Sequence, residues 1–123
     1  SYENIFAAQL ENLLQPGDVV LCLSGSGRSP NVLAAARLAH SRGATVIGLT
    51  GFDGGLLKDL ADPCIIVPSD CMEQIEDTHL IIGHVLSSFL RECPIEGPAL
   101  APALATTSTE NGGDGREGRP PLL

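Results

Sequence analysis

The sequence predicts an α/β fold, a three-layer αβα sandwich built on a parallel sheet, and three observations carry that reading. Apolar runs at residues 19–23, 45–50 and 64–67 alternate with stretches of helical period. The runs are continuous rather than alternating, as expected of strands covered on both faces. Each run ends in a cluster of Ser, Gly, Pro or Asp before the next helical stretch, the order of a parallel α/β domain.

The elements follow in order. Tyr2, Ile5, Phe6, Leu10, Leu13 and Leu14 recur at helical spacing, which predicts an amphipathic helix over 2–15. Pro16-Gly17-Asp18 is a turn, and 19–23 a buried strand. A helix over 30–42 is opened by Ser29 at the N-cap and Pro30 in the first turn, and closed by Gly43 after Arg42. A second strand occupies 45–50, a turn-rich loop 51–55, a short helix 56–61 and a third strand 64–67. Pro68-Ser69-Asp70 leads into a long helix over 72–92. On it Met72, Ile75, His79, Ile82, Leu86 and Phe89 are spaced by threes and fours, a heptad-like stripe suited to another helix, often of a neighbouring subunit. Within that stripe His79 reads as an interface residue. From Pro94 onward Pro, Gly, Ser and Thr dominate without an apolar period or an aromatic residue. The expected organisation is therefore one domain over 1–93 and a disordered tail over 94–123.

Charge and composition narrow the function. The 123 residues carry a net charge of −8, with seven Lys and Arg in all. Such a chain is ill suited to nucleic acid, which needs clustered cations. No apolar run is long enough to span a membrane, and no signal peptide is seen. Four cysteines lack C-x-x-C spacing, and Cys22 and Cys64 fall within strands, so reduced thiols in a cytoplasmic protein are expected. The sequence begins at Ser1 already inside a helical pattern, which leads one to expect a preceding segment.

The chemistry concentrates in the stretch LCLSGSGRSPN, Leu21 to Asn31. A strand ending in Ser and Gly that turns directly into a helix N-terminus presents free amides and the positive end of the helix dipole, both favourable to an anion. Ser24, Ser26 and Ser29 add hydroxyls, and Arg28 is the one cation in the loop. No Gly-Lys-Ser/Thr follows, and Gly25-x-Gly27 is followed by Pro30, so neither nucleotide-binding glycine motif is present. Helix capping accounts for Ser29 and Pro30 but leaves Ser24 and Ser26 unexplained. Ligands in parallel α/β sheets sit at the carboxyl ends of strands, which here means 24–29, 50–55 and 68–70. The loop 51–55 reads equally as a flexible connector. On the last helix His84 lies off the apolar stripe and is a candidate general acid or base. Glu73, Glu76 and Asp77 suit the first turns of a helix by dipole alone. Glu76 and His84 are about 12 Å apart along a straight helix, too far to clasp one metal ion readily.

The order SGSGRSPN, TVIGLTGFDGG, ADPCIIVPSD, QIEDTHLIIGH resembles the SIS (sugar isomerase) domain, and more narrowly the phosphoheptose isomerases, over roughly residues 1–92. The resemblance implies a flavodoxin-like fold and interconversion of sedoheptulose 7-phosphate with D-glycero-D-manno-heptose 7-phosphate. It implies that Ser24, Ser26 and Ser29 hold the sugar phosphate and that His84 is an acid/base and, in metal-bound members, a zinc ligand. The position of Glu76, usually Gln in the family, would be a second zinc ligand. Gly25 stands for a usual Thr and Arg28 for a usual Asn. The family's first βα unit, with its G-N-G-G-S-A-type loop and the partner Glu acid/base, has no match here, so the chain resembles the C-terminal half of the fold. A homotetramer is implied as the assembly. The rival reading is a non-catalytic SIS module, such as a sugar-phosphate sensor or a protein that associates with a replication initiator.

Overall fold

The computed structural model of the chain describes residues 1–93, and the expected tail lies outside them. A 3₁₀ turn at Tyr2–Asn4 leads into α1 (Ile5–Leu13), followed by β1 (Val19–Leu23), α2 (Pro30–Ser41), β2 (Thr45–Thr50), α3 (Leu57–Leu60), β3 (Cys64–Ile66) and α4 (Met72–Glu92). One compact unit spans Ser1–Phe89. The strands form a parallel sheet in the order β1-β2-β3, with Val19 opposite Thr45 and Gly48 opposite Cys64. The expected strands are all present. The first helix is shorter than its spacing predicts, because Leu14 turns extended ahead of Pro16. The turn then closes when the Gln15 amide donates to Asp18 Oδ2 at 2.8 Å.

Small side chains let α2 approach the sheet. Ala36 and Ala39 are fully buried, and with Cys22, Leu33, Val46, Leu57 and Ala61 they make the core between the sheet and α2 and α3. Gly48 belongs to the same design: a Cβ there would meet Cys64 Sγ at 2.8 Å and Ala61 Cβ at 2.9 Å. Gly43 ends α2 in the left-handed conformation, φ 78°, as its place after Arg42 predicts.

The opposite face of the sheet is covered at its carboxyl end by the first half of α4. Ile75 and His79 are the buried residues of that helix. His79 Nε2 lies 3.0 Å from the Thr50 carbonyl, and because a carbonyl only accepts, Nε2 carries the hydrogen. Beyond this cover Val19, Leu21, Leu23 and Ile65 are exposed, so the second helical layer is partial. Of the predicted α4 stripe, Ile75 and His79 are buried while Leu86 and Phe89 face outward. A groove of about 330 Å³ runs beside β1 under α1. Its walls include Phe6, Leu10, Leu21 and Val32, and Gln9 is its one polar lining residue, which is poor equipment for an anion.

All four cysteines are unpaired. Burial pushes the Cys22 thiol up, and Cys64 likewise, which disfavours the reactive thiolate, whereas Cys71 is exposed. Timed alkylation of the native chain with peptide mapping should label Cys71 well before Cys22, and equal rates would contradict the packing of Cys22 beneath α2.

Candidate functional site

The carboxyl ends of β1 and β2 bring two loops together. Residue 24 leaves the sheet with its amide still donating to the Leu49 carbonyl at 3.0 Å, and a turn closes when the Gly27 amide donates to the Ser24 carbonyl at 3.0 Å. The chain then enters α2 with Ser29 at the N-cap and Pro30 in the first turn. The expected cap differs in one respect. The Ser29 hydroxyl makes no capping bond; it lies 3.0 Å from the Ser24 hydroxyl instead. The hydroxyl that the sequence assigns to capping is therefore part of a serine pair whose Ser24 member is buried. Ser26 Oγ accepts the Arg28 amide at 3.2 Å. The amides of Gly25 and Ser26 donate to no backbone carbonyl among the described residues. Hydroxyls and free amides thus gather at the amino end of a twelve-residue helix, where the dipole favours negative charge.

The second loop, 51–55, is a structural partner of the first. The Gly51 amide donates to the Gly25 carbonyl at 2.8 Å, and the Leu56 and Leu57 amides both donate to the Gly27 carbonyl, at 2.9 and 3.0 Å. The approach is possible because both contact points are glycines. A Cβ on Gly27, whose φ is 65°, would run into the Gly54 carbonyl, and a Cβ on Gly55, φ 54°, would come within 2.5 Å of the Gly27 backbone. Above this main-chain seam Arg28 and Asp53 form a two-pronged ion pair, with Nη1–Oδ1 and Nη2–Oδ2 both at 2.7 Å. The Arg28 guanidinium, helped by the Gly55 amide, holds the Asp53 carboxyl well below the usual carboxylate range. Sequence reasoning named Arg28 but missed Asp53 and the glycine seam. The FDGG turn composition was the only signal for them.

Of the residues singled out on α4, Glu76 lines a shallow depression with Leu23, Gly25, His79 and Leu80 beside the serine loop. His84 stands more than a turn further along the helix and is exposed. The helix is continuous from Met72 to Glu92, so the spacing between Glu76 and His84 is not shortened by a break. The structure therefore brings Ser24 and Ser29 together, sets Ser26 next to them and Glu76 nearby, and leaves His84 apart. Among the described residues no three His, Cys, Asp or Glu side chains converge to hold a metal ion. Two donors on one helix fall short of the three or four that protein zinc sites use. Nor is any helix among the described residues long and apolar enough to cross a membrane.

Comparison with known proteins bears on the fold that carries these loops. The SIS domain family model matches residues 1–51. A phosphoheptose isomerase of Nitratiruptor sp. is 48% identical over 91 residues, which is 74% of this chain and 49% of that protein. One from Paramagnetospirillum magneticum is 48% identical over 86 residues, 70% of this chain and 45% of that protein. The solved phosphoheptose isomerase of Francisella tularensis superposes with a TM-score of 0.70 at 34% identity, over 74% of this chain and 49% of the other. That of Neisseria gonorrhoeae gives 0.70 at 31% identity, over 74% and 51%. The chain thus spans about half the length of the relatives it matches. Over residues 1–51 the chain is thus similar to the SIS domain, and over about three quarters of its length to one half of phosphoheptose isomerases.

Proposed function

We propose that this chain forms the phosphate-binding part of a sedoheptulose 7-phosphate isomerase, an aldose–ketose isomerase working through an enediol. The observation that carries the reading is the pairing of Ser24 and Ser29 hydroxyls at 3.0 Å next to free loop amides at the start of α2. Ser24, Ser26 and Ser29 bind the phosphate. Holding that remote group positions the reacting carbons and lets binding energy act at the distant centre. A base takes the proton alpha to the carbonyl, and an acid returns a proton to the neighbouring carbon, so the sugar gains and loses no atoms overall. His84 takes one of these roles. As it stands apart from the serine loop within this chain, it acts in a site completed by residues of another chain. A homotetramer joined through the exposed stripe of α4 would supply such residues. Zinc at Glu76 and His84 would need further ligands from the same source. The unpaired thiols accord with work in the cytoplasm.

The second reading, a non-catalytic sugar-phosphate-binding module, is favoured by the separation of His84 from the serines. A phosphorus and proton NMR titration of the chain with sedoheptulose 7-phosphate is the test. Binding with conversion to the aldose supports the isomerase over the module, binding without conversion supports a phosphate site in an incomplete or non-catalytic unit, and no binding refutes the phosphate site in both readings. Ser26→Ala should weaken phosphate binding about tenfold or more, since a hydrogen bond to a charged group is lost. Unchanged affinity would remove Ser26 from the site.

A further inference from the structure

We propose that Asp53 is a positioning residue that holds the Arg28 guanidinium in reserve, and that a bound phosphate takes Arg28 over from it. The proposal rests on the reading of the serine loop as a phosphate site and adds a residue outside that loop to it.

The geometry of the pair is the starting point. Two parallel N–H···O bonds of 2.7 Å join Arg28 to Asp53, and this fork is the arrangement that guanidinium offers to carboxylate and phosphate alike. Asp53 therefore occupies on Arg28 the donors that a phosphate would use. Arg28 lies within the loop itself: its amide donates to Ser26 Oγ at 3.2 Å, and its Nη1 also reaches the Ser26 carbonyl at 3.3 Å. A side chain rooted between Ser26 and Ser29 has a short path to any anion those serines hold.

The pair is also placed so that it can open. Both side chains are more than half exposed, and an ion pair in water is weak and easily exchanged. Opening it leaves the loops joined, because their seam is made by the backbone bonds to Gly25 and Gly27. Asp53 keeps other partners as well. Its Oδ1 accepts the Gly55 amide at 3.1 Å, and its carbonyl accepts Lys58 Nζ at 3.0 Å. The carboxylate stays in place when Arg28 leaves. The exchange moves one side chain across a fixed scaffold. It opposes weakly charged ligands, which cannot displace a carboxylate, and admits a phosphate dianion, which can.

The test is a double-mutant cycle in the full chain, reading affinity for inorganic phosphate and for sedoheptulose 7-phosphate by phosphorus NMR. Asp53→Asn keeps an oxygen for the Gly55 amide and frees Arg28, so affinity for both should rise about two- to fivefold, the scale of an exposed ion pair. Arg28→Gln should lower affinity, and Arg28→Lys should restore part of it. In the Arg28→Gln background Asp53→Asn should gain little. If Asp53→Asn weakens binding or leaves it unchanged in the otherwise native chain, the proposal is overturned. If its gain persists undiminished without Arg28, Asp53 acts through its own field and the proposal is equally overturned. Absence of phosphate binding in the native chain would instead bring down the reading of the serine loop, and this proposal with it. Thermal melts of each variant without ligand separate these outcomes from a general loss of fold.

Discussion

Gly27→Ala should be among the most damaging single substitutions in this domain. Two costs combine. The residue sits at φ 65°, where an L side chain loses roughly 1–2 kcal/mol. The new methyl would also collide with the Gly54 carbonyl, with Gly55 N at 3.0 Å. Both neighbours are main chain, so no rotamer change relieves the clash, and the loops must part. That breaks the bonds from the Leu56 and Leu57 amides to the Gly27 carbonyl, each worth about 1 kcal/mol. A total above about 4 kcal/mol falls among the exceptional substitutions and takes most of the stability of a small domain. Gly43→Ala supplies the control. It shares a positive φ, 78°, but has open space around its Cβ, so it should lose only the conformational part. Urea denaturation of the two variants side by side checks the argument. Equal losses would show that the close approach of the loops contributes nothing.

Ile75→Ala should come next, with a loss of about 2–5 kcal/mol, the range for deleting a fully buried aliphatic side chain. Ile75 is wholly buried, and its branched side chain fills the space above Gly51, where a Cβ would meet Ile75 Cγ1 at 2.5 Å. Because α4 buries only Ile75 and His79, the loss should appear as undocking of that helix rather than as even weakening. Hydrogen exchange should show faster exchange for α4 amides and little change in α2. Uniform acceleration across both helices would contradict this division. Since Glu76 and His84 ride on α4, the variant should also lose whatever those residues contribute to ligand binding, while the serine loop remains.

These two residues also mark where sequence reading stops. Strand positions were legible because Val19–Leu23 and Thr45–Thr50 are continuous apolar runs bounded by turn residues, and local pattern suffices there. The same runs predict cover on both faces, yet Val19, Leu21 and Leu23 are exposed. Apolar character records what a strand is suited to pack against, not whether these residues provide it. The serine loop was visible from its composition. Its union with the loop 51–55 was not, because Arg28 meets Asp53 across 25 residues and Gly27 meets Gly55 through atoms that every residue has. Spacing cannot show a contact made between main chains. For α4 the periodicity gave the helix and its stripe, but only three-dimensional placement distinguishes the buried Ile75 and His79 from the exposed Phe89.

The main-chain seam beneath the serine loop has a consequence for anyone wishing to alter what this site accepts. Its shape is specified by glycines, so randomised libraries at positions 27, 51 and 55 should return glycine almost exclusively among folded clones. The side chains at positions 26, 28 and 53 brace that scaffold, through Ser26 Oγ on the Arg28 amide and Asp53 Oδ1 on the Gly55 amide, but make none of its main-chain bonds. Diversity introduced there should survive selection for folding and is free to change the preference for one anion over another. Adaptability in this domain therefore resides in three side chains set on a rigid loop pair.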